Sequence, residues 1–536
     1  EVFEQGGFDC VLGNPPWETL QIAEQEFFAS RDVEIAKLAG KKRKEVIKKL
    51  SQNNPKLAKA FKDAKHDADA QNKFIRESNR YSLTAVGKIN TYAVFAETVK
   101  KLISVEGRLG IIVPVGIATD NTTKNYFGDL IKNQSLARLI GFENESLIFP
   151  SVDHTVKFCM LTVTGINIQV QQGDFVFFCR HFSDIADEKR HFNLTSKEIA
   201  LINPNTLTCP IFRTKADAEL TKKIYRHIPI LEDENIGKNF WHITFMQGLF
   251  NMSSDSDLFV TEPGDNLVPL YEAKMFYQFD HRYATYEGAT QANLNSGILP
   301  QISNEIKQNC WKNTQPQYWI NANEVDKNIN NKWDKQWLIV FRGISKVTNE
   351  RTAIFSILPK VAVAHSAAII LPKINNIKLI VCLLANLNSL TFDFIVRQKV
   401  GGNNMSFFIL KQLPILPPES YTEEDIEFIS TRVLELVYTA WDMQPFALDM
   451  GYDGEPFIWN SEIRALLRAE LDAYYAKLYG LTRDELRYIL DPADVYGEDF
   501  PSETFRVLKN NEIKQFGEYR TQRLVLESWD KMFGNG

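Results

Sequence analysis

An α/β fold over residues 1–170, an α+β region over 205–420 and an acidic helical segment over 421–536 are predicted by three observations. Short apolar runs of strand length alternate with amphipathic helical stretches at the start of the chain. The middle is aromatic-rich and loop-rich, and it closes on Pro414 and Pro417-Pro418. Helical periodicity then takes over to the end. A length of 536 residues fits such a division, since domains average roughly 150 residues.

The first strand is read from Phe8-Asp9-Cys10-Val11-Leu12, which stops abruptly at Gly13-Asn14-Pro15-Pro16-Trp17. A Lys-rich, helix-forming insertion follows over 27–80. Tyr92, Phe95, Val99 and Leu102 recur at helical spacing, and Gly107 reads as the stop of that helix. Leu109 to Pro114 is a second buried strand. A helix near Asp120 to Gln134 and strands at Leu136 to Phe142 and Thr155 to Val163 complete the region. In the last segment Thr422-Glu423-Glu424-Asp425 is a helix N-cap with an acidic first turn, and Ser461 to Leu478 is a second amphipathic helix.

Composition excludes several classes. Hydrophobic residues at 44% and charged residues at 24% belong to a globular chain rather than a disordered one. The longest apolar stretch, Leu379 to Val396, carries Asn386, Asn388, Ser389, Thr391 and Asp393, so no membrane span is expected. The six cysteines are far apart with no CxxC, which reads as reduced core thiols of a cytoplasmic protein and leaves no zinc ribbon; no metal site is evident. The chain starts without Met or a signal run, which reads as an internal cut in a longer polypeptide.

Net charge is −6, but it is unevenly spread. Residues 421–536 hold 23 acidic and 12 basic side chains, a net of −11, which leaves +5 for the remainder. Within that remainder Arg31 to Arg80 carries 15 basic against 7 acidic residues. The insertion is either a solvated helical face or a positive arm reaching for phosphates, and the sequence leaves both open.

The strongest chemical signal is Asn14-Pro15-Pro16-Trp17 at the end of a buried strand, where open α/β sheets bind their ligands. The Asn14 side-chain oxygen and the Pro15 carbonyl can each accept one N–H of an exocyclic amine. Two acceptors at fixed angles draw the nitrogen toward a pyramidal geometry and free its lone pair. The prolines supply rigidity and no competing N–H. Trp17 offers a π-face for a planar base, worth roughly 1–3 kcal/mol.

These runs resemble the adenine-specific DNA methyltransferases of the gamma arrangement, in particular the large single-chain type IIG and phage-defence enzymes. The resemblance extends from Gly6-Gly7-Phe8-Asp9 and Gly13 to Trp17, through Asn90-Thr91-Tyr92-Ala93-Val94-Phe95-Ala96-Glu97 and Gly107 to Pro114, to Leu147-Ile148-Phe149-Pro150 before Thr155-Val156-Lys157-Phe158. It implies a partial Rossmann-like methyltransferase sheet, double-stranded DNA as partner, and S-adenosylmethionine as cofactor. Asn14 and Pro15 would hold the 6-amino group of a flipped adenine, with Trp17 and Phe149 on its two faces. Phe95 and Pro16 would lie near the cofactor's adenine, although simple helix packing explains Phe95 equally well. His154 is given no catalytic role. A bacterial or archaeal restriction or phage-defence system is the implied setting.

The middle region resembles the target-recognition part of the same enzymes through Leu270-Tyr271-Glu272-Ala273-Lys274-Met275, Gln278-Phe279-Asp280-His281-Arg282, Phe341-Arg342, Thr348 to Thr352 and Leu387 to Asn403. Arg342, Lys346, Arg351, Arg397 and Lys399 have the chemistry for phosphates and guanine edges, or are surface charges and structural ion pairs. Gly401-Gly402 would allow close backbone approach. The family's glycine-rich cofactor loop is not found: Gly451-Tyr452-Asp453-Gly454 and Gly534-Asn535-Gly536 follow no convincing strand. The chain is therefore expected to need the missing N-terminal part of its own polypeptide to bind cofactor. Two other readings are a DNA-binding specificity module without activity and a protein-glutamine methyltransferase, which uses a similar Asn-Pro-Pro-aromatic loop.

Overall fold

The computed structural model describes residues 2–38, 40–400 and 404–534, so Gly401-Gly402, Asn403, Asn535 and Gly536 lie outside the described residues. The chain forms two compact units, Glu1–Lys215 and Ala216–Gly536.

The first unit is built on a six-stranded mixed sheet. Its strands are β1 (Phe8–Gly13), β2 (Ile103–Pro114), β3 (Leu136–Glu143), β4 (Lys157–Thr164), β5 (Gly173–Cys179) and β6 (Phe192–Leu194), in the order β1-β2-β4-β3-β5-β6. β1 runs parallel to β2, and β4 is antiparallel to both β2 and β3. β5 is parallel to β3, and β6 antiparallel to β5. The carboxyl ends of β1, β2, β3 and β5 therefore emerge at one edge of the sheet. Along β2 the alternation of pattern is visible in burial, with Leu109, Ile111 and Val113 in the core.

Gly107 does not stop a helix. The helix Thr91–Leu102 ends earlier, and Gly107 lies within β2, where a Cβ would stand 2.6 Å from the Phe8 carbonyl oxygen. Its lack of a side chain permits the close β1–β2 approach. The sheet also runs past the expected boundary at 170. Phe175, Phe177 and Phe192 stack with ring centroids 5.5–6.5 Å apart, adding β5 and β6 to the same core.

Among the described residues five helices precede β2: α1 (Glu24–Ala29), α2 (Val33–Lys37), α3 (Gly40–Asn53), α4 (Pro55–Glu77) and α5 (Thr91–Leu102). The first four are the Lys-rich insertion. α5 buries Tyr92, Ala93, Val94, Ala96 and Glu97, and leaves Phe95 44% exposed. Phe8–Leu12 is a strand but not the buried one expected: β1 is the outer strand, Leu12 is 78% exposed, and Phe8 and Cys10 are exposed as well, because only β2 flanks it among the described residues. Cys10 thus departs from the expected core position, whereas Cys159, Cys179, Cys209 and Cys382 are buried.

The second unit holds a four-stranded antiparallel sheet ordered Phe355–Pro359, Trp337–Arg342, Ala367–Pro372, Ile243–Met246, and a three-stranded sheet through Leu267–Tyr271. The helices after residue 421 belong to this unit rather than to a segment of their own. Helix Ser461–Leu478 is tied to the middle region by Tyr475 Oη donating to the Cys382 carbonyl at 2.7 Å and by the Leu390 N–H donating to Asp472 Oδ1 at 2.7 Å. Among the described residues no single helix is long and apolar enough to cross a membrane. Helices Ile377–Asn388 and Leu390–Arg397 pass by length and composition only as a pair bent by 52°. Their polar residues have internal partners: Asn388 both donates to the Phe355 carbonyl and accepts from its N–H at 3.0 Å.

Candidate active site

The loop after β1 is held from three sides. At the start of α5 the Thr91 hydroxyl donates to the Pro16 carbonyl at 2.7 Å, and the same oxygen accepts from the Glu18 N–H at 2.9 Å. The Thr91 N–H returns to the Glu18 carbonyl at 2.8 Å, and the Leu20 N–H to Ile89 at 3.1 Å. Trp17 is anchored from the sheet, its Nε1–H donating to the Ile112 carbonyl of β2 at 3.3 Å. Its ring packs with Ile112, Ile148 and Phe149 on the cluster of Ile140, Phe142, Phe158 and Val176. Trp17 is only partly buried, so this packing contributes less than the roughly 1.5–3 kcal/mol of a fully buried aromatic.

Asn14 is left exposed by this frame, and among the described residues its carboxamide has no hydrogen-bond partner. A carboxamide on a held loop at a strand end, with its oxygen unspent, can accept an N–H from a ligand. Phe95 sits four residues after Thr91 on α5, one turn along the same face, and both it and Pro16 are exposed.

Phe149 arrives from the loop after β3. Asn144, fully buried, accepts from the Phe149 N–H at 3.0 Å and donates to the carbonyls of Phe149 and Val152, each at 3.0 Å. Leu147 takes a left-handed conformation (φ 51°) to turn the chain there. The Trp17 and Phe149 rings lie 5.7 Å apart at 77°, edge to face. Two rings that sandwich a base need about 7 Å and parallel planes, twice the base-stacking rise of about 3.4 Å. The rings therefore touch one another, and a base between them requires one ring to turn aside. His154 is exposed, 3.3 Å from Glu145. At the base of the loop Glu143 feels opposed effects: burial raises its carboxyl, but Lys157, Arg180 and Arg213 outweigh that and hold it below the usual range. Thr91 and Asn144 are the positioning residues that motif reading missed.

Four of the five cations expected to meet DNA are drawn inward. Arg342 donates to the Phe276 carbonyl at 3.1 Å and lies over the rings of Tyr277 and Tyr283. Arg351 pairs with buried Asp393 at 2.8 Å. Arg397 pairs with the same carboxylate at 3.1 Å and donates to the carbonyls of Val347, Asn349, Glu350 and Thr504. Lys399 donates to the Gln412 carbonyl at 2.5 Å, and burial lowers its ammonium well below the usual lysine range. Guanidinium groups spent on internal carbonyls and a buried carboxylate are structural, because removing either partner would strand a charge away from water. Lys346 is the exception, exposed and without a side-chain partner among the described residues. Gly451 is a positive-φ residue after helix Gln444–Asp449, so the Gly451–Gly454 run is a helix exit. No group of metal-ligating side chains occurs among the described residues.

No family model matches the chain, and no curated protein matches it. Among solved structures it is similar to the type IIL restriction-modification enzyme MmeI in complex with DNA, at 10% identity and TM-score 0.40, over 84% of this chain and 55% of that one. It is also similar to the type IIG restriction endonuclease BpuSI, at 13% identity and TM-score 0.25, over 77% and 52% respectively. A nuclease-deletion mutant of the type ISP enzyme LlaGI in complex with a DNA substrate mimic gives 11% and 0.35, over 81% and 42%. The chain spans about half the length of these structures.

Proposed function

We propose that the first unit is the catalytic-loop part of a site-specific DNA adenine methyltransferase, and that the second unit carries target recognition, in a restriction-modification or phage-defence setting. One observation carries this reading: Asn14 stands exposed at a strand end with no partner among the described residues, in a loop clamped by Thr91 and Trp17 beside Phe149. Such a loop suits an exocyclic amine, which carries two N–H bonds for the two acceptors, the Asn14 side-chain oxygen and the Pro15 carbonyl.

Asn14 Oδ1 and the Pro15 carbonyl accept the two N–H bonds of the 6-amino group. Held by both, the nitrogen keeps its lone pair out of conjugation with the ring and turned to one side. Phe149 swings from its edge-on contact with Trp17 by side-chain rotation while Asn144 keeps its backbone in place, and the base stacks on the indole. Extrusion of the base costs a few kcal/mol, which stacking offsets. S-adenosylmethionine would supply a methyl group on a positively charged sulfonium, which would leave as a neutral thioether, and the cationic methylated nitrogen would then release one proton to water, so positioning rather than prior proton abstraction is what the protein must provide.

Exposed Phe95 and Pro16 fit one face of the cofactor's adenine. The described residues offer no glycine-rich strand-to-helix loop for the rest, and the outer edge of β1, with Leu12 and Phe8 uncovered, fits strands supplied by further polypeptide. Sequencing for N6-methyladenine in DNA from a methylation-deficient host that expresses the full-length polypeptide tests the reading. Methylated adenine in one sequence context supports it; unmodified adenine throughout, with the protein soluble, contradicts it.

A further inference from the structure

The insertion α1–α4 has a small core of its own, distinct from the sheet. Phe28, Ile35, Ala36 and Leu50 are buried with Phe27, Val46, Ile47, Leu57, Ala58 and Phe61, all from within residues 27–61. The other end of α4 is fixed to the frame of the catalytic loop. Ile75 packs with Leu20, Ile89 and Val94, Asn72 donates to the Leu20 carbonyl, and Arg76 donates to the Gly87 carbonyl at 2.5 Å. The insertion is thus an arm mounted beside Asn14–Trp17 and carried by the 23 residues of α4, roughly 34 Å, about one turn of B-form DNA.

The far end of this arm has an unusual surface. Helix α3 carries six lysines and arginines against the single carboxylate Glu45. Lys44, Lys48, Lys49, Lys56, Lys59 and Lys62 are exposed, and none has a hydrogen-bond or ion-pair partner among the described residues. Elsewhere in the unit several cations are paired, as in Lys101–Glu97 at 2.8 Å and Arg180–Glu143 at 2.9 Å, while single ones such as Lys132 and Lys197 stand apart rather than clustered. Lys44 and Lys48 stand at i,i+4 and Lys59 and Lys62 at i,i+3, where like charges destabilise a helix. A surface built only for solubility intersperses both signs.

We propose that this arm is a second, sequence-independent contact to duplex DNA, its outer lysines lying along the phosphates that flank the base presented to Asn14. The proposal rests on the DNA-modifying reading above, and adds an element that the recognition unit does not contain. Each lysine placed on a phosphate releases condensed counterions, so binding should be steeply salt-dependent, by about 0.9 in the log–log slope per contact.

The test replaces Lys44, Lys48, Lys59 and Lys62 together by Gln in the full chain, with the four Arg replacements as the charge-conserving control. Gln has a helix propensity close to that of Lys, and far-UV circular dichroism checks that the arm persists. Anisotropy with several unrelated duplexes over 50–200 mM salt is the readout. The expected result is a slope smaller by about 2–4 and affinity at least tenfold weaker on every duplex alike, with the Arg variant unchanged. Duplex binding with an unaltered slope in the Gln variant overturns the arm and leaves the methyltransferase reading standing. Failure of the unaltered chain to bind any duplex overturns both. A loss confined to single-stranded RNA or anionic vesicles also overturns the arm.

Discussion

The Thr91 hydroxyl donates to the Pro16 carbonyl at 2.7 Å across 75 residues of sequence, and so fastens the loop after β1 to the first turn of α5. Thr91→Val keeps the shape and removes the donor. It leaves the Pro16 carbonyl and the Glu18 N–H without their partner, at a cost of about 1–2 kcal/mol. Because the loop's aim is at stake, methyl transfer should fall about 10–100-fold, more than the stability loss explains. Denaturant melts alongside quantified N6-methyladenine check both; transfer equal to the parent's would show that the clamp does not position the loop.

Asp393 neutralises two arginines at once, Arg351 and Arg397, and also accepts from the Thr352 N–H. Asp393→Asn should therefore cost about 3–5 kcal/mol of unfolding free energy in the second unit. Lys346→Ala should cost almost nothing in stability and, if that lysine meets a phosphate, reduce the salt slope of DNA binding by about 1. Paired melts and binding isotherms separate the two roles. A stable Asp393→Asn variant with weakened DNA binding would reverse the assignment of these cations.

Asp472 gives a pH signature. Burial raises its carboxyl from 3.8 to about 6, although Arg351, the Leu390 N–H and Arg468 pull it down. Between those two values the folded chain holds a proton that the unfolded chain has released. Stability contributed by this group therefore falls as pH rises from 4 to 7, by an amount on the order of 2–3 kcal/mol. Asp472→Asn still accepts from Leu390 and removes this dependence. The variant's stability relative to the parent should climb across pH 4–7 in urea melts; a flat difference would show that the carboxyl titrates normally.

Cofactor binding by this chain alone should be weak, since only Phe95 and Pro16 are assigned to the adenine and no glycine-rich loop occurs among the described residues. Titration calorimetry with S-adenosylmethionine should show no saturation at low micromolar concentration. A saturable low-micromolar isotherm would mean that the pocket is formed elsewhere in these residues.

The strands that frame the site were legible because Phe8 to Leu12, Leu109 to Pro114, Leu136 to Phe142 and Thr155 to Val163 are apolar runs of strand length bounded by turn formers. β5 carries a similar run, Phe175-Val176-Phe177-Phe178, but periodicity does not say that it joins a sheet begun 165 residues earlier. Gly107 has the same letter whether it ends a helix or admits a neighbouring strand, and only the Phe8 carbonyl opposite decides. Arg397 stands at i,i+4 from Asp393 on one helix, a pairing open to sequence reading, whereas Arg351 meets the same carboxylate from 42 residues away. Pairing across such distances leaves no local mark. Thr91 and Asn144 were hidden for a related reason, being ordinary polar residues whose role is set by the carbonyls they meet.

The most direct measurement compares N6-methyladenine in DNA from hosts that express the full-length polypeptide with Asn14 intact, as Asn14→Ala and as Asn14→Asp. With the fold unchanged, since this side chain is exposed and has no partner among the described residues, the Ala variant should lose methylation at least a hundredfold, while Asp, which keeps an acceptor oxygen, retains part of it. Full methylation with Ala at this position, or modification of a base other than adenine, would contradict the assignment.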